Sequence, residues 1–150
     1  MSERFNPDQF AVDTDRDFPG YLSAWRFAVA NVGNLESELE RAFLAHWTFA
    51  TYRGGWSSYG GVHPGGEIAK YDLTAQRWID EYRVDFALDV LSSRGVVATT
   101  AVIEVDGFSY HGDRDSFELD RARDQFFHAA GLTVFRFTPG STTNPRSKPL

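Results

Sequence analysis

The sequence predicts a small α/β domain built on a mixed β-sheet of about four strands, in the order helix, strand, strand, strand, helix, strand. Three observations predict it. Apolar residues step by three and four as far as Trp47, and a period of two takes over after residue 66. The run 96–105 is β-branched and apolar almost throughout, the mark of a central strand covered on both faces. A second helical stretch, 115–130, is stopped by Gly131 ahead of a last apolar segment.

Residues 1–17 carry no clean periodicity and are expected to form an extended or irregular arm. Leu22, Trp25, Phe27 and Val29 predict a short helix ending near Gly33, so that 1–33 is an N-terminal arm and short helix. Asn34 is a good N-cap for the next helix, with Glu36, Glu38 and Glu40 favouring its dipole. Leu39, Ala42, Phe43 and Trp47 are its apolar stripe. The stretch 53–66 holds six glycines and reads as a loop. Residues 67–78 predict a weak strand. In the clearer strand 82–88, Tyr82, Val84, Phe86 and Leu88 are expected on one face, with Arg83, Asp85 and Ala87 on the other. Leu119, Ala122, Phe126 and Ala130 mark the last helix, and 132–137 the last strand. The main domain is thus 34–138, followed by a flexible tail, 139–150.

A chain of 150 residues suits one domain, and 42% hydrophobic with 15% aromatic content fills a core, which excludes long disorder. The absence of cysteine excludes disulfides, thiolate metal sites and cysteine nucleophiles. No stretch approaches the roughly 18 consecutive apolar residues of a membrane span. The polar opening argues against a secretory signal, so the expectation is a cytoplasmic protein without a membrane partner. A net charge of −6 counts against a nucleic-acid partner, yet residues 1–40 alone hold 8 acids against 3 bases, and the rest is nearly neutral. Charge leaves the partner open.

Glu104 and Asp106 stand two apart on one predicted strand, so their side chains leave the same face, and Asp85 lies on a neighbouring strand. Three carboxylates meeting at one end of an apolar sheet repel one another unless a divalent cation sits between them. Oxygen-only ligation points to Mg²⁺ or Mn²⁺, ions suited to phosphoryl chemistry. The alternative is that Asp106-Gly107 is only a hairpin turn and Asp85 a surface residue. His111 follows across a Gly-containing turn, where it can hold or activate water. The other histidines lack metal-ligand spacing, the nucleophile elbow is missed at His111, and no phosphate-cradling glycine motif is present.

A longer pattern runs through these residues. It comprises Ser37-x-x-Glu40, then Gln76-x-x-Ile79-x-x-Tyr82-Arg-Val-Asp85-Phe-Ala, then Val102-Ile-Glu104-Val-Asp106-Gly with His111. It continues as Asp120-x-x-Arg123-Asp124 and Gly131-x-x-Val134-x-Arg136-Phe137-Thr138. Over about residues 36–138 the chain resembles the small endonuclease-like family related to very-short-patch repair endonucleases. That resemblance implies the restriction-endonuclease-like fold of the PD-(D/E)XK superfamily and a metal-dependent DNA endonuclease. By position, Asp85 is similar to the metal-binding aspartate and Glu104 to the second acid, with Val105 joining them at the metal. Glu40 resembles the helix glutamate that reaches the site, Gln76 a polar residue beside it, and His111 the histidine that activates water. The lysine expected two residues after Glu104 is Asp106 here, as in close relatives, which makes His111 the best candidate for the general base.

The rival reading is a non-catalytic nucleic-acid-binding or assembly module that keeps the fold. A purely structural domain would require the whole motif series to be coincidence. The loop 53–66 is expected to engage DNA, with Trp56 or Tyr59 stacking on or wedging between bases and Arg53 meeting a phosphate. Arg123 is a further candidate DNA contact. The alternative is that Trp56 folds back over the sheet. No separate recognition domain is evident, so specificity falls to the loops, a homodimer partner or another subunit.

Overall fold

Asn6-Pro7-Asp8 carries three helix-start signals in a row: an N-cap, proline at the first helical position, and an acid in the first turn. In the computed structural model, which describes residues 5–54, 71–92, 94–105, 114–137 and 145, they begin helix α1 (Pro7–Asp17). The Asn6 side chain accepts the Asp8 and Gln9 N–H groups at 3.1 and 3.2 Å. Residues 7–17 are therefore helical, and the irregular arm expected there is corrected. The expectation weighed apolar period and passed over the cap. Phe10, Ala11 and Thr14 of this helix are buried.

Helix α2 (Tyr21–Val32) ends at Gly33 as expected, with φ at 109°. A Cβ at Gly33 would sit 3.4 Å from the Ala75 carbonyl oxygen, so glycine serves both the backbone turn and the close approach. Helix α3 (Glu38–Gly54) starts later than Asn34. Its cap is Ser37, whose Oγ accepts the Glu40 N–H at 3.1 Å, because Ser37-x-x-Glu40 places both halves of a capping box at the right offset. The buried surface of α3 is wider than the expected stripe. Glu40, Ala42, Phe43, Leu44, Ala45, Thr48, Phe49 and Thr51 are all covered, since α3 packs on α1 and α2 as well as on the sheet.

The sheet runs β1 (Tyr71–Ile79), β2 (Tyr82–Leu91), β3 (Val97–Val105), β4 (Thr133–Phe137) in that spatial order. The first three are antiparallel neighbours, and β4 lies parallel to β3 after helix α4 (Arg114–Ala129) crosses over. This is the α/β architecture with a four-stranded mixed sheet that the sequence predicts. The α4 helix closes with Gly131 at φ 76°, and Leu132 N–H bonds the Phe127 carbonyl at 2.9 Å. Among the described residues no helix is long and apolar enough to cross a membrane.

Two apolar clusters sandwich the sheet. One joins α1, α2 and α3 to Leu73, Ala75, Phe86, Ile103 and Val105. The other joins Val84, Ala87 and Val102 to Phe127 of α4, with Ile79, Tyr82, Phe126, Leu132 and Val134 beside them. The expected single apolar face of β2 is corrected here. Tyr82 and Val84 pack toward α4, whereas Phe86 and Leu88 pack toward α3. Alternation therefore reverses at Asp85. On β1 it reverses at Gln76, whose φ of 52° is left-handed. The pairs Ala75↔Phe86 and Arg77↔Val84 place Gln76 opposite Asp85, so one kink crosses both strands.

Two further expectations change. Only 102–105 of β3 is buried, while Val96 and Val97 are 63% and 50% exposed, so the strand is covered over one end alone. Leu119 is 70% exposed, and Phe127 takes the inner face of α4 instead. The loop residues 55–66, and the tail 139–150 apart from Pro145, lie outside the described residues.

Phe10 meets Tyr21 and Phe49 edge-on, with ring centroids 5.6 and 5.9 Å apart. Phe10→Ala is expected to destabilise the fold by roughly 3–5 kcal/mol in urea unfolding, as loss of a core ring does. A wild-type midpoint would mean that α1 is a dispensable arm after all.

Candidate active site

An aspartate between two strands competes with the backbone for ladder donors. Asp85 does so: its Oδ2 accepts the Val105 N–H at 2.9 Å. Its own N–H turns to the Glu104 Oε2 at 3.5 Å, at the outer limit of a hydrogen bond. The β2–β3 pairing begins at Phe86↔Ile103, so the strands part at the acids. Side chains here replace the ladder.

Glu104 is 5% exposed and faces α4. Arg123, on that helix, donates from Nη2 to Glu104 Oε1 and to the Arg83 carbonyl, the latter at 3.0 Å. Its guanidinium carbon lies 5.5 Å from the Phe127 ring centre, and its buried Nε has no hydrogen-bond partner among the described residues. Burial pushes the Glu104 carboxyl up to about 7, with the Arg123 charge opposing and the Asp85 carboxyl reinforcing the rise.

A second group lies across the kink. Glu40, also 5% exposed, accepts Gln76 Nε2 at 2.7 Å and the Glu36 N–H at 3.1 Å through Oε1. Ser37 Oγ donates to its Oε2 at 3.2 Å. Gln76 reaches Glu40 from the left-handed position that reverses β1, a conformation costing about 1–3 kcal/mol and frequent at functional sites.

The fold thus gathers Asp85, Glu104, Val105 and Arg123 in one group and Glu40 with Gln76 in another, both at the same kink. Asp106, His111, Trp56 and Tyr59 fall outside the described residues, and Arg53 lies on the last turn of α3 with its side chain outside them. Among the described residues no three His, Cys, Asp or Glu side chains stand close enough to hold a metal ion. The Asp85–Glu104 pair offers oxygen donors only, the kind of ligand a hard divalent cation takes.

Three features of this end were not anticipated. Arg123 faces the acids, although its place in the motif series pointed toward DNA. Arg83 lends its carbonyl to Arg123 and its side chain to Glu36, at 3.3 Å. Trp78, directly opposite Arg83, is 64% exposed. The available signal was a large aromatic beside the two-residue turn Asp80-Glu81, where strand propensity alone explains nothing. Comparison with family models, with curated proteins and with solved structures finds no match.

Because Glu104 holds its proton more tightly in the folded chain than its ordinary value of 4.5, the native state binds more protons than the unfolded one over this range. Its contribution to stability is therefore expected to decline as pH rises from about 4.5 to about 7. Glu104→Gln should flatten that slope in urea unfolding measured between about pH 5 and pH 8. An unchanged slope would assign the effect to another group.

Proposed function

We propose that this chain is a cytoplasmic, metal-dependent DNA endonuclease, cutting one or both strands by phosphodiester hydrolysis on a restriction-endonuclease-like core. The observation that carries the reading is the exchange at Asp85: two carboxylates from adjacent strands meet where the ladder opens, and one is too buried to ionise freely. Structural acids are usually placed where solvent or a full set of donors satisfies them.

In this reading Asp85, Glu104 and the Val105 backbone hold Mg²⁺, or Mn²⁺ in its place. Such an ion, when bound, neutralises charge on the scissile phosphate and lowers the pKa of a water. The chain's own residues do the rest. Arg123 braces Glu104 through its ion pair, so the carboxyl stays aimed at Asp85. Glu40 and Gln76 fix the kink at which the pair meets. Asp106 supplies a further carboxylate, and His111 takes the proton of the attacking water. Water adds to phosphorus, and the leaving oxygen departs as its P–O bond breaks. DNA is the partner, and a homodimer or second subunit would supply specificity.

One observation favours the rival, a nucleic-acid-binding or assembly module without catalysis. Arg123 already balances Glu104, so the acid has a counter-ion within the chain.

The two readings part on supercoiled plasmid. Wild type is expected to nick or linearise it with Mg²⁺ or Mn²⁺ and to leave it intact with EDTA. Asp85→Asn should abolish cleavage yet keep the fold, because the amide oxygen can still accept the Val105 N–H and one repulsion is removed. His111→Ala should lower the rate by about 10²-fold or more, the scale of general base catalysis. Cleavage by Asp85→Asn at the wild-type rate would sink the metal-site reading.

A further inference from the structure

We infer that Trp78 and Arg83 form a nucleobase-stacking subsite on the α3 face, next to the kink at Gln76 and Asp85, taking one base of a bound DNA strand. The inference rests on the endonuclease reading and adds to it where the strand is gripped.

Trp78 and Arg83 are Cα partners across β1 and β2, so they share a face, with Cβ atoms about 5 Å apart. That face is the α3 side, since Arg83 reaches Glu36 just ahead of α3. Trp78 is two residues from Gln76, about 6.6 Å along an extended strand, and so lies next to the kink. At 64% exposure its ring belongs to neither apolar cluster, and it makes no hydrogen bond or ring contact among the described residues.

The platform beneath the ring is stiff. Ile79 and Tyr82 bracket the hairpin turn and pack into the α4 cluster, where Tyr82 meets Phe126 at 5.2 Å and Phe127 at 5.7 Å. Arg83 is pinned through its carbonyl by Arg123, the residue that also holds Glu104. Its side chain is 46% exposed, and its pairing with the 49% exposed Glu36 is a surface contact of small worth. The guanidinium can therefore turn to a phosphate. A rigid aromatic face with a cation beside it matches a base and its backbone charge, and stacking accepts any base.

The experiment measures affinity of wild type, Trp78→Ala, Trp78→Phe and Arg83→Gln for a fluorescein-labelled duplex and for its single strand. Ca²⁺ replaces Mg²⁺ so that binding is read without cleavage. Trp78→Ala is expected to weaken binding about tenfold at an unchanged melting temperature. Trp78→Phe should recover most of the loss, and Arg83→Gln should flatten the salt dependence. Wild-type affinity in Trp78→Ala overturns the subsite and leaves the endonuclease reading standing. A large drop in its melting temperature overturns the subsite too, by assigning the ring to the fold. So does conversion of a wild-type dimer to monomer in sedimentation, which would make the ring a self-association contact. Failure of wild type to bind either DNA overturns both readings.

Discussion

The exchange between Asp85 and β3 sets the terms for everything around it. Once the Asp85 carboxylate has taken the Val105 N–H, the two strands cannot continue a regular ladder past Phe86↔Ile103. The same step turns the chain over, so that Val84 and Phe86 face opposite layers although they are two apart. Gln76 makes the matching reversal on β1 at the cost of a left-handed backbone, and α3 secures it through Glu40. Glu104 is left on the α4 side, where among the described residues Arg123 and the Asp85 N–H answer its charge. A single side chain displacing a backbone acceptor thus produces a kink, a carboxylate pair and a buried ion pair together.

Helix α3 links this local event to the core. Its cap and first turn carry Ser37 and Glu40, which belong to the kink, and its second turn carries Phe43, whose ring is tilted against Phe86 at 4.8 Å and Phe137 at 5.2 Å. Its last turns meet α1 and α2 through Phe49 and Tyr52, and the Tyr52 hydroxyl donates to the Pro19 carbonyl. The aromatic layer built by Phe10, Phe18, Tyr21 and Phe49 is edge-on throughout, a packing that resists sliding. The acids at the kink are therefore held by the same helix that organises the main core, which keeps a strained backbone from relaxing.

Much of this was legible. The change of period, the β-branched run and Gly131 gave four strands and the last helix close to their observed bounds, because such signals are local. What was not legible depended on tertiary context. Alternation along 82–88 looks unbroken in sequence, since Tyr82, Val84, Phe86 and Leu88 are all apolar and both layers accept them. Nothing in those letters says that the pleat reverses at Asp85. The α1 helix was hidden for a different reason. Its acids and threonine mask its period, although Asn6-Pro7-Asp8 announced its start. For the site, the motif series singled out Asp85, Glu104, Glu40, Gln76 and Arg123, and the fold brings them to one kink. The inward turn of Arg123 needed the helix placed first.

The acidic excess of residues 1–40 also finds its explanation in structure. Asp8 accepts both the Trp25 indole and Arg41, tying three helices together. Asp15 accepts the Gly20 and Leu22 N–H groups at the start of α2, and Asp13 holds Gln9 and Arg16. Glu36 meets Arg83, and Glu40 meets Gln76. These charges are spent on caps, cross-helix ties and the kink, and none of them needs a partner outside the chain. Net charge summed over the sequence therefore says little about the field a polyanion would meet. At the kink two guanidiniums flank the carboxylates from opposite faces, Arg83 on the α3 side and Arg123 on the α4 side. Among the described residues Arg83 is a surface guanidinium on the α3 side, whereas Arg123 is folded inward against Glu104 and Phe127. That asymmetry distinguishes the two faces of the kink, with a surface guanidinium on the α3 side and a buried ion pair on the α4 side.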